Sequence, residues 1–543
     1  MTLEGVSAAE ETRQAVEPAE LQRDVEVTQA AGILSLGNVT SRVLGLVRET
    51  VKADLFGAGG HVSALDAAIN IPMMIYNLLV GGMINSALVP VLSDYAVPER
   101  REELWRLLSI LFGAVSVVGC GLMLLGELLA PQLVWLSAAG LSPEDQALAT
   151  GLLRLMLPGV LFLSLASVLS GVLYALKRFT LPAFTPAISN AAMVAMALLL
   201  GRSLGVRSMA IGLLAGSAAQ VVLQLPGLRD AEFRPTFDLR HPAVRRIGRL
   251  YLPILIGMAV DKLAELLSYH LASRTGPASI SWMRYSVTMI QLPLGLVVTA
   301  ISLAILPTLS RQAAEAGDGP FKATLARGLR LVLALTVPAT VGLWVLARPI
   351  IGLVFEHGDF TPTDTVATVA AMRYQLLGLI FAAIDQPLIF AFYARKDTWT
   401  PALVGGVTVV LYAAFALVPT LFVPLTLNGL ILANSLKWAA HALLMLWLLR
   451  RRIGGLPEHG IALLVGRVAL ASLAMGVAVS LVAGWTRGLV PEGLLGEVLL
   501  VGGAGAVGVG VYVGLSILLG IDEIHLLYRT IKRRFRRLTL PRP

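Results

Sequence analysis

The sequence predicts an all-α polytopic membrane protein of about 14 transmembrane helices. Two parallel six-helix repeats would form two lobes around a central cavity, with two extra helices at the C-terminus. Three observations carry this prediction. Hydrophobic residues fill 56% of the 543 positions and charged residues only 14%, and the mean hydropathy is +0.77. Apolar runs of about 20 residues, enough for a helix to cross ~30 Å of hydrocarbon, recur along the chain. The first half also recurs in the second at a nearly fixed offset.

Residues 1–27 are acidic and polar with no apolar core before Ala30, and read as a disordered cytoplasmic tail rather than a signal peptide. The N-terminal lobe is expected at 28–228, with spans near 29–56, 63–94, 104–136, 146–176, 182–201 and 206–227. A basic cytoplasmic linker at 229–246 follows. The C-terminal lobe at 247–452 holds spans near 247–273, 279–310, 322–350, 363–394, 399–422 and 426–450. Residues 453–520 supply the two additional spans, near 461–485 and 494–519, and 521–543 form a basic cytoplasmic tail.

Arginine and lysine set the orientation. Clusters at Arg100, Arg101 and Arg106, at Lys177 and Arg178, at Arg240, Arg245 and Arg246, and at Arg311, Lys322 and Arg327 fall on one side of this count. So do Arg395 and Lys396, Arg450 to Arg452, and Arg529 to Arg537. Short basic loops stay in the cytoplasm, so both termini are expected there. The net charge of +9 is thereby assigned to membrane flanks and not to nucleic acid.

The repeat is read from identities. Arg154, Gly159, Phe162, Tyr174, Ala175, Lys177, Pro182 and Ala183 recur 219 residues later as Arg373, Gly378, Phe381, Tyr393, Ala394, Lys396, Pro401 and Ala402. Pro90 and Ser93 recur as Pro307 and Ser310 at an offset of 217. Six spans per repeat insert both halves in the same orientation, and transporters built this way place their substrate between the halves.

Several patterns carry no chemistry. Gly503 to Gly508 matches a dinucleotide fingerprint, but no strand precedes it and close helix packing explains it. Asn38-Val39-Thr40 is a glycosylation sequon inside a span. Cys120 is single, so no intramolecular disulfide forms. The sequence shows no phosphate-binding GxxxxGK[ST] loop, no metal-spaced Cys/His cluster and no nucleophile-base constellation. It therefore reads as a transporter that neither hydrolyses ATP by that route nor acts as an enzyme, with no cofactor or metal.

The intramembrane charges are the functional signal. The first two spans carry Arg42, Arg48, Glu49, Lys52 and Asp66. A charge in the middle of a lipid-embedded helix costs about 3 kcal/mol or more, so such groups face a protein interior or a wet cavity. Arg42 and Glu49 share a helix face, with Arg48 about 120° around it. A guanidinium fork suits a diphosphate because it donates in pairs and stays charged. The structural alternative is a pair with Glu49 or Asp66. In the seventh span Asp261 and Glu265 lie one turn apart and are candidates to hold a coupling monovalent cation or proton. The competing reading there is neutralisation of Glu265 by Lys262. Asp385, Lys437 and Glu497 read as interhelical pairs.

Three segments resemble a known family. SRVLGLVRE, DLFGAG and GGMINSALVPVLS between Ser41 and Ser93, YALKRFTLPAFTPAISN from Tyr174 to Asn190, and FYARKDTWTPA from Phe392 to Ala402 are similar in order and spacing to the MurJ (MviN) lipid II flippases. That family lies within the multidrug/oligosaccharidyl-lipid/polysaccharide exporter superfamily. The resemblance, over roughly residues 28–452, implies a multi-pass protein of the bacterial cytoplasmic membrane. Such a protein moves lipid II, or a similar polyprenyl-diphosphate lipid, to the outer leaflet, coupled to an ion gradient or membrane potential, and serves the cell-wall synthesis machinery. It places Arg42 and Arg48 where the family's first-helix arginines stand, and the candidate substrate-binding set is Arg42, Arg48, Glu49, Asp66 and Arg284. The last two spans would line a groove for the lipid tail. The sequence departs from the family pattern at Tyr76 and Thr288, where arginines are common, and at Gly81, where glutamate is. Arg284, one turn before Thr288 on the same face, is the candidate substitute. These departures keep two alternatives open: export of another polyprenyl-diphosphate-linked oligosaccharide, or of a small drug-like molecule. A degenerate, non-transporting membrane scaffold is a third reading.

Overall fold

The computed structural model describes residues 3–232, 238, 240–315, 317–456, 460–489, 491 and 493–524. The C-terminal tail beyond 524 and part of the 229–246 linker lie outside the described residues. The first half contains α1 (Leu3–Phe56), α2 (Gly60–Tyr76), α3 (Val89–Ser93), α4 (Arg101–Leu128), α5 (Ala130–Ala138), α6 (Pro143–Ala175), α7 (Thr180–Ala183), α8 (Thr185–Leu204) and α9 (Arg207–Gln224). The second contains α10 (Pro242–Ser273), α11 (Ser279–Pro293), α12 (Thr299–Gln312), α13 (Gly319–Val345), α14 (Ala347–Phe355), α15 (Pro362–Ala394), α16 (Trp399–Leu417) and α17 (Leu427–Ile453). Helices α18 (Ile461–Thr486) and α19 (Leu494–Leu518) follow.

Among the described residues, 12 helical segments are long and apolar enough to cross a membrane. The other two spans expected from the sequence fall on α1 and α10. Both are long enough, but α1 carries Arg42, Arg48, Glu49 and Lys52, and α10 carries Asp261, Lys262 and Glu265. Helix α1 also begins at Leu3, so the stretch expected to be a disordered tail is helical. Its Ala, Glu, Gln and Arg residues are good helix formers, which net polarity alone does not reveal.

The halves repeat in local detail. Helices α6 and α15 each run 33 residues, and their ends stand 219 residues apart. The π-helical turn at Asn77–Gly81 recurs at Leu294–Val298. Tyr251 Oη shares its proton between Leu78 O at 2.8 Å and Asn77 O at 3.2 Å in the first of these turns, and Asn77 O also accepts from Gly82 N at 3.2 Å. Among the described residues, Lys177 and Lys396 are the non-glycine residues with positive φ, at 58° and 61°. Each ends its helix in the same Schellman pattern. Lys177 N donates to Tyr174 O at 3.0 Å and Arg178 N to Leu173 O at 2.8 Å, while Lys396 N donates to Tyr393 O at 2.9 Å and Asp397 N to Phe392 O at 3.0 Å.

The chain divides into two compact units, and the division differs from the expected lobes. The first unit comprises Met1–Arg48, Ile69–Ala130 and Gly151–Leu255, and its core gathers Leu92, Leu104, Leu108, Leu169 and Leu173. The second comprises Glu49–Ala68, Pro131–Thr150 and Ile256–Pro543. Its core uses the repeat counterparts Leu309, Phe321, Leu325, Leu388 and Phe392. The end of α1 joins the second unit because Asp359 N donates to Asp54 O at 2.9 Å, an approach that only glycine permits at Gly57 and Gly358, both at positive φ. Helices α18 and α19 belong to this unit too, since Val468, Ala471, Met475 and Ala504 pack with Ala334 of α13. Outward side chains such as Leu198, Leu199, Val410, Leu473 and Leu481 are largely exposed, as a lipid-facing surface requires.

Candidate functional site

In the first unit, α1 lies tight against α7 and α8. A Cβ on Gly37 would run into Ala183 O, and Gly45 faces Asn190. That approach lets Asn190 work in two directions. Its Nδ2 donates to Ser41 O at 3.1 Å, which fixes the amide, and its Oδ1 accepts from Arg48 Nη1 at 2.9 Å. Arg42 Nε donates to Asn38 Oδ1 at 3.2 Å, one turn back along α1. Both guanidiniums are half-buried, neither sealed in the core nor spread over the surface. Each fork has five donors on a fixed plane, a geometry that matches phosphate oxygens.

In the second unit the charges form a closed cluster. Lys52 Nζ lies 2.6 Å from Glu49 Oε2 and donates to both oxygens of Asp66, at 2.8 and 3.0 Å. The ammonium also sits 4.6 Å from the centroid of the Tyr285 ring, whose hydroxyl donates to Gly57 O at 2.8 Å. Arg284 approaches from α11, with Nε 3.8 Å from Glu49 Oε1. Lys52, Glu49 and Asp66 are 2%, 2% and 5% exposed, and the Arg284 side chain 31%. Two cations thus face two carboxylates, and the cluster is neutral as a whole. Buried ions persist where such pairing repays their desolvation.

The structure therefore gathers Glu49, Asp66 and Arg284 from the expected site, around a residue that the site assignment omitted. Lys52 is the hub, and its signal was present: a lysine inside an apolar span, three residues after a glutamate. Asn190 was also missed, because nothing in a lone amide at the start of an apolar span marks it as an arginine partner. The departures from the family pattern are filled by neutral groups. Tyr76 Oη shares a 2.9 Å hydrogen bond with Ser167 Oγ, and Thr288 Oγ1 donates to Arg284 O at 3.0 Å. On α10, Glu265 Oε2 accepts from Lys262 Nζ at 2.6 Å, the internal neutralisation that the sequence also allowed, and Asp261 is exposed.

Residues 52–498 match the family model described as "Lipid II flippase MurJ". The chain is similar to the lipid II flippase MurJ of Burkholderia cenocepacia, at 30% identity over 76% of this chain and 81% of that one. It is also similar to the probable lipid II flippase MurJ of Vibrio cholerae, at 33% identity over 71% and 76%. A solved structure of lipid II flippase MurJ in an inward closed conformation superposes with a TM-score of 0.76 at 25% identity, covering 90% of this chain and 99% of that one. An inward-facing multidrug transporter of the MATE family shares the fold, with a TM-score of 0.68 at 13% identity.

Proposed function

The chain belongs to the MurJ family of lipid II flippases, and we propose from that premise that it carries lipid II from the inner to the outer leaflet of the bacterial cytoplasmic membrane. The observation that carries the headgroup chemistry is Arg48, aimed by Asn190 and half-buried in the apolar second half of α1 beside Arg42. Together with Arg42 it presents two permanent positive charges to the diphosphate, while the tail stays in lipid. The neutral Glu49–Lys52–Asp66–Arg284 cluster holds the adjoining end of α1 in place.

In this reading the protein is a transporter and not an enzyme. Helices α1 and α10 cross the membrane as well, which gives fourteen spans and cytoplasmic termini. The basic turns at Lys177 and Lys396, alike in sequence and backbone, then lie on the cytoplasmic side. A second reading, export of a different polyprenyl-diphosphate-linked oligosaccharide, is favoured by the neutral Tyr76 and Thr288. Both readings use the same arginines, so the headgroup decides between them. The test is depletion of the protein in its own host, followed by measurement of lipid II in the outer leaflet. A fall in outer-leaflet lipid II with accumulation inside supports the function. An unchanged level contradicts it, and accumulation of another lipid-linked glycan selects the second reading.

A further inference from the structure

The repeat breaks at one charged position. In the first half Arg154 of α6 pairs with Glu127 of α4, Nε to Oε2 at 3.7 Å. The counterpart of Arg154, at the offset of 219, is Arg373 of α15, and the counterpart of Glu127, at the offset of 217, is Trp344 of α13. An indole thus stands where the first half has a carboxylate. The guanidinium carbon of Arg373 lies 5.9 Å from the centroid of the Trp344 ring, close enough for a cation–π contact. Its Nε is buried with no hydrogen-bond partner, and no ion pair joins Arg373 to another described residue. An arginine that snorkels carries its whole fork out to water. Arg373 instead keeps a permanent positive charge partly inside the bundle, where such a charge calls for an anion.

Trp344, in the last turn of α13 and 39% exposed, also lines an apolar groove of about 450 Å³ between α13 and α18. Val341 forms one wall, and Leu473, Val477 and Leu481 the other. Gly476 brings the two helices together, since a Cβ there would meet Val341 Cγ1 at 2.7 Å. The volume is that of one acyl chain and well short of a long polyprenyl tail. Tryptophan gathers at the level of the lipid headgroups, so Arg373 over the Trp344 ring stands at the depth of lipid phosphates. The groove occupies the end of α13 and the second half of α18, hence a single leaflet, the outer one in the orientation proposed above. The one positive charge of the fork is neutralised by a phosphodiester of one negative charge, through paired N–H···O bonds. A diphosphate would leave negative charge uncompensated.

We propose that Arg373 and Trp344 form a phospholipid site: Arg373 holds the phosphate of a singly anionic glycerophospholipid, and one acyl chain of that lipid lies in the groove between α13 and α18. In the first half the carboxylate of Glu127 takes the place of the phosphate. The bound lipid ties α18, which stands outside the repeat, to α13 and α15 of the second lobe.

The test uses the full chain in nanodiscs of phosphatidylcholine, into which phosphatidylglycerol or phosphatidylcholine with brominated acyl chains is introduced. Bromine quenches the tryptophans it touches, and the part of the quenching that Trp344→Phe removes belongs to Trp344. In the wild type that part is expected to need about tenfold less brominated phosphatidylglycerol than brominated phosphatidylcholine, as a charge-assisted contact implies. Arg373→Met is expected to abolish the preference. A second variant guards against misfolding: Trp344→Glu gives Arg373 the anion that its counterpart has in Glu127. It is expected to keep the thermal stability of the wild type and to retain one phosphatidylglycerol fewer in native mass spectrometry. Equal quenching by the two lipids in the wild type, a preference that survives in Arg373→Met, or undiminished phosphatidylglycerol on Trp344→Glu overturns the proposal. A preference erased by an equal amount of undecaprenyl phosphate gives the groove to a polyprenyl lipid and overturns it as well.

Discussion

Helix α1 carries charge into the membrane in two ways. Around Glu49 and Lys52 the ions are almost fully buried and answer one another, with Asp66 and Arg284 completing a neutral set. At Arg42 and Arg48, less than three turns earlier, the guanidiniums are half-buried and lean on the amides of Asn38 and Asn190. The contrast separates two uses of an expensive group. A closed cluster holds helices together, because removing one member strands another. A half-buried arginine held by an amide stays charged and partly exposed.

The largest effect tests the closed cluster. Lys52→Met leaves Glu49 and Asp66 buried without their shared ammonium, and breaking such a pair costs about 3–5 kcal/mol. Membrane abundance should collapse, as read by quantitative blotting. A variant of normal abundance would show that the cluster is not structural.

A smaller effect tests the repeat. Lys177 and Lys396 hold left-handed backbone that glycine adopts without strain, so Lys177→Gly and Lys396→Gly should each stabilise by up to about 1 kcal/mol. The two shifts, read from thermal unfolding in detergent, should be alike. If only one turn responds, the likeness between the halves stops at the backbone.

The smallest effect concerns acid. Glu356, in the turn between α14 and α15, accepts from Arg348 and from Thr365 Oγ1 at 2.6 Å. The hydrogen bond from Arg348 holds its carboxyl below the ordinary range, against the opposing pull of partial burial. A lowered carboxylate contributes stability above its unfolded pKa of about 4.3, and that stability is lost as pH falls through the lowered folded value. Below about pH 4 the wild type should therefore lose stability that Glu356→Gln lacks at every pH. Parallel pH-stability curves for the two would remove the pair from the account.

Much of this architecture was legible in the sequence, because membrane helices announce themselves by length and apolarity. The offsets of 219 and 217 also pointed to the right turns, since Lys177 and Lys396 share backbone as well as identity. The sequence was silent where three-dimensional neighbours decide. Nothing local shows that Lys52 reaches Asp66 across a turn, or that Asn190, far along the chain, steadies Arg48. The same limit explains the division into units. The end of α1 sorts with the second unit through backbone contacts at Gly57 and Gly358, which no side-chain pattern encodes. For the α10 pair both outcomes were readable, and only the geometry places Glu265 with Lys262.

The most direct measurement of the central claim pairs two readouts on one variant, Arg42→Ala: protein level in the membrane, and lipid II translocation in the same cells. Losing a charge-assisted, forked contact should weaken substrate binding by about 2–3 kcal/mol while the bundle stays intact. Normal abundance with translocation largely lost is the predicted result, and Arg42→Lys should restore it only in part. Normal translocation by the alanine variant, or a loss of abundance like that expected of Lys52→Met, would contradict the assignment of this arginine to the substrate.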